Sequence, residues 1–281
     1  MMSSHTLRRS VWLLVGCSIG FILRSAATGS QDPNDVAAVS SKVSRDYVRT
    51  KLPDGLFQPE YYAFGKGGAW SSANADASID KLSFWDVART LAAPLASENY
   101  VSTKDPSAAR LLIMVYWGKT RTPEDAGLGD QLVELTQISP IGLDAAISAA
   151  KIVEKDDKLN ALMLGYDSWW DATQGDHRGT ALGLRRQDLI DEMEQNRYFV
   201  VLMAYDFQLM WKEKKHKLLW ETRFSIRERN HQFDRDLPSM AQYASQYFGQ
   251  DSHGLVRKPI PEGDVNIGEV KALGEVQEPK K

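Results

Sequence analysis

Apolar residues crowd the stretch from Tyr198 to Phe207, where YFVVLMAYDF places them on both phases of a two-residue alternation. A strand written this way is covered on both faces and belongs at the centre of its sheet. Lys212-Glu213-Lys214-Lys215-His216-Lys217 follows as a charged turn. From Leu218 onward the pattern alternates, with Leu218, Trp220, Thr222, Phe224 and Ile226 on one phase and Leu219, Glu221, Arg223, Ser225 and Arg227 on the other. This predicts a long antiparallel hairpin over 198–229 whose second arm is wet on one face.

Two further strands are predicted upstream. Leu111 to Trp117 is apolar at every position, and Pro59 to Phe64 forms a shorter run ended by Gly65-Lys66-Gly67-Gly68. Between them Ser83 is an N-cap with Asp86 three residues on, and Phe84, Val87, Ala88, Leu91 and Leu95 recur at helical spacing, with Pro94 as a kink or early end. Strand, helix and strand make a βαβ unit with parallel strands. Residues 119–196 read as a helical insertion, with Leu143, Ala146, Ile147 and Ala150 on one helix, and Leu159, Leu162, Met163 and Tyr166 on another that runs toward Trp170. Adjacent helical residues point about 100° apart, so of Trp169 and Trp170 one enters the core and the other covers a groove. Asp236 caps a last helix carrying Met240, Ala241, Ala244, Tyr247 and Phe248, closed by Gly249. The fold expected is α+β: one domain over 58–253 with a mixed sheet of four to five strands, the βαβ unit plus the hairpin, flanked by helices. Residues 28–57, polar and small with turn signals, read as a tether with one short helix near Val36 to Val48. Residues 254–281 read as a tail in which Val265, Ile267, Val270 and Leu273 offer an edge strand.

Composition sharpens this outline. The 281 residues are 43% hydrophobic and 10% aromatic, ample for a core, and carry a net charge of −3. Arg8, Arg9 and Arg24 are the only charges in the first 27 residues, so loss of that segment would make the rest still more acidic. A nucleic-acid partner is therefore not expected. Arg8-Arg9, the apolar run Val11 to Leu23 and Ser25-Ala26-Ala27 have the three parts of an export signal over 1–27. The only cysteine, Cys17, ends the lipobox-like Leu14-Val15-Gly16-Cys17, although the apolar run continues past it. Two processed forms follow: a soluble chain starting near Thr28, or one lipidated at Cys17. With at most one thiol, the mature chain has neither an internal disulfide nor cysteine catalysis.

Candidate chemistry is sparse. Asp167, Asp171, Asp176 and His177 form the best acid and histidine group, and Asp167, Asp171 and His177 could serve a metal-assisted hydrolase, but their spacing fits no defined ligand pattern. No G-x-S-x-G elbow occurs. If the strands ending at Phe64 and Trp117 are parallel, their carboxyl ends share one sheet edge, where open α/β sheets form binding crevices. Lys66, Trp70, Trp117, Lys119 and Arg121 would then converge on an anionic ligand through two rings and three cations.

Tyr61-Tyr62-Ala63-Phe64-Gly65, the capped helix, Asp105-Pro106-Ser107-Ala108-Ala109-Arg110 and Lys217-Leu218-Leu219-Trp220 carry a resemblance spanning roughly residues 59–249. On these motifs the chain resembles uncharacterised envelope proteins and lipoproteins of Gram-negative bacteria, catalogued as a domain of unknown function. The resemblance implies a mixed sheet flanked by helices and a place in the cell envelope, periplasmic or anchored by the N-terminus. It supplies no catalytic residues. The function expected is non-catalytic binding of a partner protein or cell-wall component, without cofactor or metal; the alternative is the hydrolase near residues 167–177.

Overall fold

The computed structural model describes residues 36–70, 75–121, 156–175 and 179–259. In chain order these form β1 (Val36–Val43), β2 (Glu60–Trp70), α1 (Ala77–Asp80), α2 (Phe84–Ser97), β3 (Tyr100–Ser102), β4 (Leu111–Lys119), α3 (156–164), α4 (Asp167–Ala172), α5 (Ala181–Met193), β5 (Arg197–Asp206), α6 (Phe207–Glu213), β6 (Leu218–Arg227), α7 (Phe233–Ser245) and β7 (Val256–Pro259). The export signal, Cys17, the helix expected over 143–150 and the edge strand expected over 265–273 lie outside the described residues.

All seven strands join one sheet in the order β3-β2-β4-β5-β6-β1-β7. It is mixed: β2 runs parallel to β3 and β4, and every other neighbour is antiparallel. The expected βαβ unit is present as β2-α2-β4, and β5 stands at the centre, buried on both faces over Arg197–Leu202. Four to five strands was an undercount, because β1, β3 and β7 carry too little apolar pattern to stand out.

Helices cover both faces. On the first, Val87, Leu91 and Leu95 of α2 and Phe233, Leu237, Met240 and Ala244 of α7 pack on Ile113, Val115, Trp117, Val200, Leu202, Trp220, Phe224 and Ile226. On the second, Ala161 and Leu164 of α3, Trp170 of α4 and Leu189 and Met193 of α5 pack on Phe199, Val201 and Ala38. This second layer corrects the reading of β6: Thr222 to Ile226 are buried on both phases, Arg223 included, because the helical insertion covers the face expected to be wet.

Local structure follows the sequence closely where caps decide it. The Ser83–Asp86 capping box forms, with the Ser83 hydroxyl accepting from the Asp86 N–H and Asp86 accepting from the Ser83 N–H. Pro94 sits within α2, buried, and the helix continues to Ser97. The charged turn of the hairpin is partly helical: Asp206 caps α6 by accepting from the Leu209 N–H at 2.9 Å, and Lys214 ends it at φ 58°. The last helix begins at Phe233 after the N-cap Gln232, and Asp236 reaches back to accept from the Gln232 N–H.

The largest correction is β1. Where a tether with a short helix was expected, Val36–Val43 is a strand between β6 and β7, with Val39 opposite Phe224 and Ala38 opposite Ser225. Its residues are small because both faces are closely approached. A side chain at Gly165 would stand 2.5 Å from the Ser40 Cβ, and the Ser41 hydroxyl donates to the Tyr247 carbonyl at 2.9 Å while sharing a 2.7 Å hydrogen bond with Thr222. The segment after β1 is also anchored. Tyr47 is buried and donates to Glu60, and Arg49, sandwiched between the Phe57 and Tyr100 rings, donates to the Glu98 carbonyl.

Candidate functional site

The glycines that were expected to end β2 instead form a bulge inside it. The register runs Lys66 to Val115 and then Gly68 to Tyr116, so Gly67 is the extra residue. A bulge of one residue moves every later side chain to the other face. Only glycine fits here: a Cβ at Gly67 would lie 2.6 Å from the Val115 carbonyl and 2.7 Å from the Tyr116 ring.

The bulge decides the fate of the predicted crevice. Ala69, not Trp70, pairs with Trp117, and the two tryptophans enter opposite faces. Trp117 is buried in the α2–α7 core, whereas Trp70 packs with Tyr116 against the α3–α5 layer. Lys119 is buried and donates to Glu228 at 2.8 Å. Lys66 is exposed in register with Val115, and Arg121 is exposed, its backbone held by the Asn160 side chain. The structure therefore does not gather the two rings and three cations at one point. The hydrolase group fares similarly. Asp167 accepts from Lys42 at 2.6 Å through one carboxylate oxygen; Asp171 is exposed, and Asp176 and His177 lie outside the described residues. Among the described residues no three His, Cys, Asp or Glu side chains gather to hold a metal.

What the bulge creates is an apolar cleft on the second face, with a volume of about 400 Å³. Its floor is a row crossing four strands in register, Gly68, Tyr116, Val201 and Arg223, flanked by Trp70 and Phe199 on one side and Met203 on the other. Leu162 and Met163 of α3 form a wall. Glycines on β2 and a small-residue strand behind Arg223 keep the floor low, while the helical insertion raises the wall. Ligand pockets of proteins commonly measure about 300–1,000 Å³ and combine an apolar lining with few polar groups.

The polar end of the cleft is Arg223. Its Nη1 and Nη2 donate to Glu221 at 2.7 and 3.0 Å in a bidentate pair. Its Nε–H is buried and has no hydrogen-bond partner among the described residues. Lys42 lies in register with Glu221 and bonds Asp167. Burial alone would raise the Asp167 carboxyl, but the hydrogen bond and charge of Lys42, with Arg223 nearby, hold it below the ordinary carboxylate value. Two cations thus face two carboxylates, and the end of the cleft is polar without net charge.

Sequence reasoning singled out Trp70 but missed Tyr116, Phe199, Val201, Met203 and Arg223. The signal that could have found them was the glycine run read as a bulge within the strand rather than as its end.

No family model matches the chain, and no curated protein matches it significantly. Among solved structures it is similar to a PDZ domain protein from Parabacteroides distasonis ATCC 8503, at 13% identity and a TM-score of 0.40 over 79% of this chain. The match spans 38% of that protein's length, and at this similarity no property of it transfers.

Proposed function

We propose that this chain is an exported, non-catalytic binding protein of the cell envelope, and that its cleft holds the apolar body of an envelope component. The observation that carries the reading is the cleft itself: aromatic and aliphatic side chains from three strands and a helix around a space of about 400 Å³, with the Arg223 guanidinium at its end. A hydrocarbon or ring body suits such a lining, since burial contributes roughly 25 cal/mol per Å² of apolar surface. The Asp167 group supports catalysis less well, because its best-placed carboxylate is engaged by Lys42. Export is supported by the Arg8-Arg9, Val11 to Leu23 and Ser25-Ala26-Ala27 pattern, and an envelope location by the resemblance described above.

Two measurements test this. The neutral apolar dye N-phenyl-1-naphthylamine should brighten on binding the wild type and bind the cleft-filling Met203→Trp variant at least about tenfold more weakly. Equal binding by a folded Met203→Trp protein would remove the cleft from consideration. A partner protein that buries the cleft would compete with the dye while small amphiphiles would not. Separately, mass spectrometry of the protein from its host should find either a lipidated Cys17 or a new terminus near Thr28; an intact Met1 in the cytosol would refute export.

A further inference from the structure

Resting on the cleft reading, we infer that Arg223 is its specificity-determining residue and that the cleft selects an uncharged ligand bearing a hydrogen-bond-accepting oxygen, such as an ester, amide or ketone on a hydrocarbon body. Arg223 lines the cleft, is 8% exposed, and keeps one buried donor, Nε–H, without a partner among the described residues. A buried donor left unmatched is costly, and an acceptor that reaches it recovers that cost. The acceptor need not be charged. Both terminal nitrogens of the guanidinium are engaged by Glu221, and Asp167 stands near on the same side, balanced by Lys42. An anion entering here would meet Glu221 and Asp167 without a free positive charge to compensate, and would lose its hydration in an apolar space. A cationic head would lose its hydration in the same apolar space and face the Arg223 donor, since Glu221 is paired through both oxygens and Asp167, bonded by Lys42, does not line the cleft. An uncharged carbonyl avoids both penalties and accepts from the Arg223 Nε–H. The side chains of Phe199, Val201 and Met203 and the rings of Trp70 and Tyr116 offer apolar surface to the body of the ligand.

The test uses three probes of equal chain length, methyl decanoate, decanoate and decylammonium, titrated into the full chain by displacement of N-phenyl-1-naphthylamine. Methyl decanoate should bind wild type at least about fivefold more tightly than either charged probe, the scale of one net hydrogen bond. Arg223→Met keeps the bulk but removes the donor, and should weaken methyl decanoate about fivefold. Glu221→Gln frees the guanidinium charge and should strengthen decanoate at least about fivefold while changing methyl decanoate little. Circular dichroism and thermal melts check that each variant is folded; should Arg223→Met unfold, Glu221→Gln decides. Equal affinity for ester and decanoate in wild type, or a folded Glu221→Gln protein with unaltered decanoate affinity, would overturn the role of Arg223 while leaving the cleft standing. Absence of binding by the dye and all three probes would overturn the cleft reading itself.

Discussion

Gly118 shows how a single hydrogen atom in place of a methyl group sets the site. It pairs with Trp70 across the β2–β4 ladder, and a Cβ there would overlap the Trp70 carbonyl oxygen and press on its Cβ at 2.8 Å. Backbone cannot rotate aside as a long side chain can, so Gly118→Ala should cost about 1–3 kcal/mol and lower the thermal midpoint by several degrees. Gly55→Asn is the control, since that position is left-handed at φ 87° with open space around it and Asn tolerates such a backbone. Matching midpoints for the two variants would show that the approach of Trp70 is not tight. On the neighbouring strands, Phe224→Asp removes a fully buried ring and buries a carboxylate, for a loss of about 3–5 kcal/mol. On alternation alone, which leaves Arg223 on the phase of β6 expected to be wet, Arg223→Asp would be harmless. With Arg223 buried and paired to Glu221, that change places two carboxylates side by side, and it should destabilise the protein as well. A melt of Arg223→Asp indistinguishable from wild type would contradict the covered second face. Alternation thus gave the phase of each β6 side chain correctly but could not tell which phase had a second layer over it. Trp70 lines the cleft, but its neighbours there were not legible in the sequence, because one inserted glycine reverses every facing after it on β2.

At the scale of elements, β1 is the part of the fold that its own residues advertise least. Strands are recognised by branched and aromatic side chains, and half of VAAVSSKV is alanine and serine. Those small residues are the consequence of crowding, with Gly165 against Ser40 on one face and the Tyr247 carbonyl against Ser41 on the other. The strands with strong patterns, β4, β5 and β6, were predicted within a few residues; β3 and β7, three and four residues long, are too short for periodicity to register. Because β1 joins β6 to β7, its loss would strip β6 of its neighbour over six register pairs from Ala38 to Val43. A chain beginning at Gln58, which keeps everything the sequence assigned to the domain, should show no cooperative melt and should expose apolar surface to dye. A chain beginning at Asp32 should melt as the full chain does. If the Gln58 chain melts cooperatively with the wild-type midpoint, β1 contributes nothing to the fold's stability.

For the molecule as a whole, carboxylates that tie separate layers together set its response to acid. Glu192 on α5 accepts from Tyr166 at 2.7 Å, from Arg257 on β7, and pairs with Arg197 on β5 at 3.4 Å. Burial pushes its carboxyl up, but Arg257 and Arg197 outweigh that and hold it below the ordinary value. The same balance, burial opposed and exceeded by donors, lowers Asp76 through Ser78 and Tyr198, Asp167 through Lys42, and Asp236 through His231 and Arg235. A carboxyl with a depressed folded pKa stabilises the native state above its unfolded value, about 3.9 for Asp and 4.3 for Glu, and that stabilisation is lost as pH falls toward the folded value. Glu98 and Glu194 act with the opposite sign, since burial raises both, and they favour the folded state slightly as acid is added. These four partly buried depressed groups, joined by Asp46, Asp86, Asp105 and Asp234, which are lowered too, outweigh the two raised ones near the surface. The thermal midpoint should therefore stay level from pH 7 to about 5 and fall steadily below about 4.5. Glu192→Gln should lower the midpoint at pH 7 through a loss of about 1.5–3 kcal/mol, and should flatten the fall below pH 4.5 because one of the four partly buried groups no longer titrates. Melts of both proteins in steps from pH 7 to 3 read the two effects together; a wild-type midpoint that holds or rises below pH 4.5, or a Glu192→Gln curve parallel to wild type throughout, would show that these contacts do not govern acid stability.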